Sequence, residues 1–397
     1  MSTAVMTNRL ELSSVADTTL KAATRFWFGV TVGGQLIFAF TVASFYSLTA
    51  LRGDYHKWNF TNGYVPGFSM GNTAVIMHVA SAAMVMLAGA VQLIPQIRSC
   101  FPAFHRWNGR IYMLTAATLS IPGLYMTWFR GSVGDLSIHL GSTLNAVLIW
   151  LCGGMALRYA IARDFGTHRR WALRFFLVVS ASWFFRIGFF LSFLIFKRPF
   201  GFNPTTFRGP FLTFMSFAQF LIPLAVLEIY LRAQDHSGTL RRIATAGMLF
   251  VLTLVMCAGI FAVAMAQWVP QVRAAYDPRT SIAETLSATL ASSGIDAAAT
   301  QYRELKAARP TTYNFDEDEL NQLGYKLIRA KKLNEAIRIL QLNVESYPQS
   351  SNVYDSLGEA YMDDGNRPLA ILNYQKSLTL NPKNRGAVLM LQKLNAP

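Results

Sequence analysis

Four of the six histidines of this chain are regularly spaced through apolar sequence: His78, His105, His139 and His168. His105 follows His78 by 27 residues, and His168 follows His139 by 29. Consecutive histidines therefore fall at alternate ends of consecutive apolar segments. Imidazoles that face each other from two helices at one depth are common axial ligands of haem iron. The spacing predicts two stacked b-type haem sites, one from His78 with His139 and one from His105 with His168.

The sequence around these histidines is duplicated. His105 begins the segment HRWNGRIY, and His168 begins HRRWALRFF. The arginines that follow, Arg106, Arg110 and Arg174, are candidates for holding the propionates of one haem. In an alternative interpretation, these arginines only set the membrane topology, and the two histidines contact lipid phosphate. A divalent metal site is a third alternative, although two histidines alone rarely complete a metal shell.

Arg186 is a further candidate because it lies inside an apolar segment, among aromatic residues. A charged residue within a membrane segment is costly and usually faces a partner or a cavity. It follows His168 by 18 residues, so a straight helix puts both on one face, roughly 27 Å apart along the axis. We therefore expect Arg186 near the level of His78 and His139, where it would hold a haem propionate. In the alternative, Arg186 only snorkels outward or binds backbone carbonyls.

The composition is that of a membrane protein. The chain has 397 residues, of which 52% are hydrophobic and 14% are charged. Charged residues make up about a quarter of a typical soluble domain. Seven apolar stretches are long enough to cross a bilayer as helices, which takes about 20 residues each. They are expected at 26–51, 72–96, 107–129, 136–160, 171–196, 210–232 and 244–268.

The positive charge of the chain is concentrated in its first two thirds. Residues 1–268 hold 21 Lys and Arg against seven Asp and Glu, whereas residues 269–397 hold 15 against 14. Most of the excess lies in short loops between apolar stretches, so it indicates membrane topology and not nucleic-acid binding. With the N-terminus inside, 14 basic residues fall on the inner side and six on the outer side. The pattern predicts a bacterial inner-membrane protein with a cytoplasmic N-terminus and a periplasmic or extracellular C-terminal part.

Residues 316–382 repeat with a period of 34. Gly324 matches Gly358, and Pro348 matches Pro382. A 34-residue helix-turn-helix period is the signature of tetratricopeptide (TPR) repeats. The fold class expected is therefore all-α, with a polytopic bundle of about seven spans followed by a soluble α-solenoid. The expected domains are a cytoplasmic segment 1–25, a bundle 26–268 with its four-histidine core at 72–196, a linker or degenerate helix pair 269–315, and TPR repeats with a capping helix 316–397.

The stretch from His78 to about Arg186 resembles a bacterial multi-pass membrane family defined as a domain of unknown function. The resemblance rests on the HRWNGRIY and HRRWALRFF segments. That family is in turn similar to two-haem transmembrane cytochromes b, in which paired histidines on four helices hold haems near both membrane faces. The resemblance implies two haem b groups and transmembrane electron transfer. The C-terminal 85 residues resemble TPR domains appended to other bacterial proteins, whose partners vary.

Two functions follow from these patterns. In the first, the protein takes electrons from a quinol or another small reductant and passes them through two haems, while the TPR domain docks a peptide or protein. In the second, a haem-free bundle anchors a TPR scaffold for protein–protein interaction. A transporter has little support, since paired Gly or Pro interruptions in corresponding halves are not evident. The sequence assigns no enzymatic reaction, and the expected partners are the bilayer and a TPR ligand, with no nucleic acid.

Overall fold

The computed structural model describes residues 2–58, 69–129, 134–203, 206–235 and 238–395. It divides the chain into two compact units, Met1–Tyr276 and Asp277–Pro397. We call these the membrane unit and the C-terminal unit. Both are helical, so the all-α class expected from the sequence is confirmed.

The membrane unit consists of helices that coincide with the apolar stretches of the sequence. They are α1 (Ser2–Arg52), α2 (Ser69–Gln92), α3 (Pro95–Cys100), α4 (Pro102–Trp128), α5 (Leu136–Ile161), α6 (Phe165–Val179), α7 (Ala181–Phe196), α8 (Pro210–Asp235), α9 (Thr239–Val263), a π-helical stretch Ala264–Trp268 and α10 (Val269–Tyr276).

Not all of these helices meet the requirements of a membrane span. Among the described residues, five are long and apolar enough to cross a bilayer, and the bent pair α6–α7 makes a sixth if it counts as one span. The seventh expected span, 107–129, is helical as part of α4, but it is not among them. Polar residues are spread along this stretch, among them Asn108, Arg110, Thr115, Thr118, Ser120 and Thr127, and they reduce its apolar character. Several helices are therefore apolar and long enough to span a membrane, and the full set of seven spans is not confirmed.

The expected straight span 171–196 is broken at Ser180. Helices α6 and α7 meet there at an angle of 51°. The Ser180 hydroxyl accepts a hydrogen bond from Gln35 Nε2 of α1 at 2.9 Å, so a distant helix holds the break in place. Sharp kinks commonly arise where a side chain joins the hydrogen-bonding of a helix. The straight-helix assumption that put Arg186 and His168 on one face is therefore wrong.

Helices α5 and α6 begin in the same way. Asp135 accepts hydrogen bonds from the backbone N–H groups of Ser137 and Ile138. Asp164 accepts one from the Thr167 N–H. An N-cap aspartate satisfies donors that the first turn leaves without an intrahelical partner. Each cap lies four residues before a histidine of interest, so both helix starts, and with them His139 and His168, are fixed in register.

Helix α4 holds the middle of the histidine region together, because it packs against both α2 and α5. Close approach to α2 depends on small residues. A Cβ atom at Gly89 would lie 3.0 Å from the Tyr112 ring, and one at Gly109 would lie 2.8 Å from Gln92 Nε2. The bundle core includes Phe38, Trp183 and Phe220, all of them buried.

The C-terminal unit is a row of helices with one short parallel strand pair. It contains β1 (Thr280–Ser281), α11 (Ile282–Ala308), β2 (Tyr313–Asn314), α12 (Glu317–Arg329), α13 (Leu333–Ser346), α14 (Ser351–Asp363), α15 (Arg367–Leu380) and α16 (Arg385–Asn395). Gly294 has φ 83° and ψ −179° and divides α11 into two helical parts.

Helices α12 to α16 start at a regular interval. The starts of α12 and α14, of α13 and α15, and of α14 and α16 are each 34 residues apart. The repeated glycines lie where paired helices come closest: a Cβ atom would be 2.6 Å from Leu340 at Gly324 and 3.1 Å from Tyr374 at Gly358. Two equivalent hairpins and a final single helix therefore share one core.

Candidate functional site

His168 is held at the start of α6 with one ring nitrogen engaged. Its Nδ1 lies 2.8 Å from the carbonyl oxygen of Ala156, on α5. A carbonyl can only accept, so Nδ1 carries the proton and donates, which leaves Nε2 with a free lone pair. Metal-bound histidines usually have this second-shell arrangement, since it orients the ring and makes the other nitrogen more basic.

His105 lies at the start of α4, beside a polar bridge between α2 and α4. Its Nε2 is 3.3 Å from Gln92 Nε2. Asn108 donates through Nδ2 to the Gln92 side-chain oxygen at 2.8 Å and to the Ala88 carbonyl at 2.9 Å. The Nδ1 atom of His105 is buried and has no hydrogen-bond partner among the described residues.

His105 and His168 are coupled electrostatically. A positive charge on His168 would act on His105, as the charge of Arg98 does. The structure thus brings one of the two expected histidine pairs within electrostatic range. We call His105 and His168 the basic-end pair, because they lie at the Arg-rich ends of α4 and α6.

His78 is half-buried on α2 and faces α4. Its ring contacts the position of Gly123, where a Cβ atom would lie 3.5 Å from Cε1, and it interacts with the Leu119 carbonyl. The Nδ1 atom is buried without a hydrogen-bond partner among the described residues. Gly123 therefore leaves room on α4 for an imidazole, one nitrogen of which is unused.

His139 lies at the start of α5 against Trp128. The two ring centroids are 5.3 Å apart, with the planes at 67°. Trp128 is five residues beyond Gly123, which at 100° per residue puts the two contacts on different faces of α4. Helix α4 therefore contacts both His78 and His139, and their pairing across one ligand stays a prediction.

Arg186 lies on α7, six residues beyond the break at Ser180. Its Nη1 donates to the Ser182 carbonyl, one turn earlier, at 2.8 Å. The guanidinium carbon is 5.2 Å from the centroid of the Phe38 ring. Tyr46 and His78 both feel its charge. The charge of Arg186 is thus coupled to a phenol and an imidazole of the membrane unit.

The remaining arginines have different surroundings. Arg174 forms an ion pair with Glu228 at 2.6 Å and lies over the Trp171 ring at 4.9 Å. Arg110 lies over the Trp107 ring at 4.8 Å, and Arg106 is exposed. Because Arg174 already has a carboxylate partner, it fits a propionate less well than the other two.

Three features of the site were not expected from the sequence. Tyr46 interacts electrostatically with Arg186, although the two residues are more than a hundred positions apart, and no local pattern reveals this. The Gln92–Asn108 bridge beside His105 joins two different helices, so the pattern of a single helix does not reveal it either. A local signal was available for the third feature, since Asp135 and Asp164 each precede a histidine by four residues. Aspartate at such a spacing before an apolar run is typical of a helix N-cap.

The described residues contain no group of three or more His, Cys, Asp or Glu side chains that could hold a metal ion. A haem does not require such a group, since the porphyrin supplies four of the iron ligands and the protein only the axial ones. The arrangement suits two-ligand coordination better than a protein-only metal site.

Residues 75–231 match the model of a family described as "Predicted membrane protein (DUF2306)". The match covers all four histidines and Arg186, and less than half of the chain. Together with the apolar helices described above, this match shows what class of protein the chain is. The chain is a multi-pass membrane protein. No curated protein and no solved structure matches it.

Proposed function

We propose that the membrane unit is a b-type haem protein that transfers electrons across the bilayer, and that the basic-end pair supplies the axial ligands of one haem. The observation that carries the proposal is the state of the two rings. His168 is oriented by the Ala156 carbonyl with Nε2 free. His105 is electrostatically coupled to it and has a buried nitrogen with no partner among the described residues. A bound haem would supply reversible one-electron chemistry between two sides of the bundle.

The second haem of the proposal lies between His78 and His139. The buried, unused Nδ1 of His78 and the space at Gly123 support it. The contact of His139 with Trp128 supports this second site less, since the His139 ring would have to turn toward His78. The propionate partners proposed are Arg106 and Arg110 at the basic end, with Arg174 the weakest because of Glu228, and Arg186 at the other end.

We further propose that the C-terminal unit is a TPR domain that docks a peptide or protein. The 34-residue interval between equivalent helices supports this, together with the glycines at equivalent helix contacts. Electrons would enter from a quinol or another small reductant. The proposed location is the bacterial inner membrane, with the N-terminus cytoplasmic and the TPR domain outside.

The alternative is a haem-free, membrane-anchored TPR scaffold. The observation that favours it is the hydrogen-bonding of the basic end, where Gln92 and Asn108 join α2 to α4 with no cofactor. In this alternative, His105 belongs to a helix-packing network and the C-terminal unit carries the whole function.

The test is the dithionite-reduced minus oxidised spectrum of the purified full-length protein, expressed with haem supply. We expect a sharp b-type α-band that decreases by about half in His105→Ala and in His168→Ala, with no further loss when both are changed. The two remaining histidines, His56 and His236, provide control substitutions that should leave the band intact. A featureless spectrum from folded wild-type protein would falsify the haem proposal and leave the scaffold.

A further inference from the structure

Arg186 lies half-buried within α7, away from the ends of that helix. Helix α7 ends at Phe196, ten residues further along. At 1.5 Å per residue, the Cα atom of Arg186 lies about 15 Å from that helix end, which is about half the thickness of a hydrocarbon core. A lipid phosphate at the membrane surface is too distant to neutralise an arginine at this depth.

No described carboxylate of the membrane unit serves as its counter-ion. Residues 1–276 contain seven Asp and Glu. Four of them form ion pairs elsewhere, and two cap helices. The ion pairs are Asp17–Arg242, Asp54–Lys57, Glu228–Arg174 and Asp235–Arg170, and the caps are Asp135 and Asp164.

The seventh carboxylate, Glu11, is too far away. It lies on α1, 27 residues before Phe38, the ring that Arg186 covers. In a continuous helix this separation is about 40 Å. The counter-charge of Arg186 therefore comes from none of the acidic side chains of this unit.

The groups around Arg186 are suited to an anion. Phe38 covers one face of the guanidinium, and the Ser182 carbonyl accepts from Nη1. A guanidinium has five N–H donors in a planar fork that matches the two oxygens of a carboxylate. The charge of Arg186 also acts on Tyr46, whose hydroxyl is a hydrogen-bond donor.

We propose that Arg186, together with Tyr46, binds the carboxylate of an apolar molecule that enters the bundle. Two sources share this chemistry: a propionate of a haem, and the head group of a free fatty-acid-type amphiphile. The haem source rests on the function proposed above, whereas the carboxylate site itself does not.

The test uses full-length protein in detergent, purified from cells grown with and without haem supply. Thermal unfolding of the haem-free protein is followed with decanoate and with decanol, which has the same chain and no carboxylate. We expect decanoate, and not decanol, to raise the Tm of the wild type by several degrees. Arg186→Met should abolish the shift, and Arg186→Lys should retain part of it. Arg158→Met, at an exposed arginine of α5, is the matched control and should retain all of it.

The haem-supplied preparations distinguish the two sources. If haem is bound, and Arg186→Met lowers its retention at least tenfold while Arg158→Met does not, a propionate occupies the site. If the wild type binds no haem but responds to decanoate, the occupant is a free amphiphile, and the haem proposal fails while this site stands.

The site is overturned if Arg186→Met neither loses haem nor changes the decanoate response and unfolds at a higher temperature than the wild type. That result would mean that the substitution has only removed an uncompensated charge. Tyr46→Phe provides a second variant if Arg186→Met does not fold. It should weaken the decanoate shift, and an unchanged shift would exclude Tyr46 from the site.

Discussion

The Nδ1 atom of His168 lies 2.8 Å from the backbone oxygen of Ala156, and this contact joins the start of α6 to the end of α5. A main-chain acceptor is insensitive to mutation of the Ala156 side chain. The orientation of the imidazole is therefore built into the α5–α6 turn, with Asp164 as the cap that fixes it.

The first prediction concerns replacement of this ring by a free ligand. In His168→Gly, the haem band proposed for the basic end should be lost and should return largely when imidazole is added at millimolar concentration. The added imidazole occupies the space of the deleted side chain and supplies the missing nitrogen. Absorption difference spectra give the measurement, and His168→Leu, which fills the space, should not respond. Recovery in both variants would contradict the assignment of His168 as a ligand.

The second prediction tests how closely α5 approaches α8. A Cβ atom at Gly141 would lie 2.7 Å from the Ser216 carbonyl oxygen, which is backbone and cannot turn away. Gly141→Ala should lower the free energy of unfolding by about 1–3 kcal/mol because the helices must separate. Gly154→Ala on the same helix is the control, since nothing lies within 4 Å of its Cβ position. It should be neutral or stabilising by up to about 1 kcal/mol. Denaturant titration in detergent measures both, and equal effects would show that the α5–α8 contact is loose.

The third prediction is a pH dependence of the C-terminal unit. Burial raises the pKa of Asp355 and of Glu359 above their usual values, although Asn384 and Tyr325 donate hydrogen bonds that act against it. A carboxyl whose pKa is higher in the fold than in the unfolded chain binds more protons when folded. Its contribution to stability is then complete below the pKa of the unfolded chain, about 4, and is lost as the pH rises through the pKa of the folded chain.

We therefore expect α14 to be more stable near pH 4 than near pH 7. Hydrogen exchange of the full chain, corrected for intrinsic rates and read from peptides of α14, measures this. Asp355→Asn and Glu359→Gln should each weaken the pH dependence of exchange protection in α14 and raise the protection at neutral pH. Protection that rises with pH in the wild type would contradict the prediction.

The fourth prediction concerns the break in α11. Gly294 has φ 83° and ψ −179°, a region open almost only to glycine, and no atom lies within 4 Å of its Cβ position. The cost of Gly294→Ala is therefore conformational and not steric, about 1–3 kcal/mol. Local exchange protection of α11 in the full chain should fall accordingly. Ser293→Ala, at the preceding exposed position, should change it little, and an equal loss in both variants would refute a backbone origin.

Helix positions were largely predictable from the sequence, for identifiable reasons. A long apolar run predicts a helix wherever it is uninterrupted, and the expected 136–160 agrees with α5 at Leu136–Ile161 to within a residue. In the C-terminal unit, the 34-residue interval recurs in the helix starts. Both signals are local or strictly periodic, so they are visible without tertiary information.

The site itself was less predictable. The break at Ser180 depends on Gln35, 145 residues away, and a serine within an apolar run has no distinctive pattern of its own. The same limit applies to Arg186, whose contact with Phe38 and electrostatic interaction with Tyr46 involve α1. The stretch 107–129 is less apolar than the other expected spans because Thr and Ser residues, such as Thr115 and Ser120, are spread along it.

The equal spacing of the hairpins in the C-terminal unit has a consequence for its evolution. Each hairpin contacts only its neighbours, as in other one-dimensional helical arrays. A duplicated 34-residue segment inserted between α15 and α16 would reproduce an existing interface and leave the final helix to cover the new end. The length of the C-terminal unit can therefore increase or decrease by whole repeats, without any change in the membrane unit that precedes it in the chain.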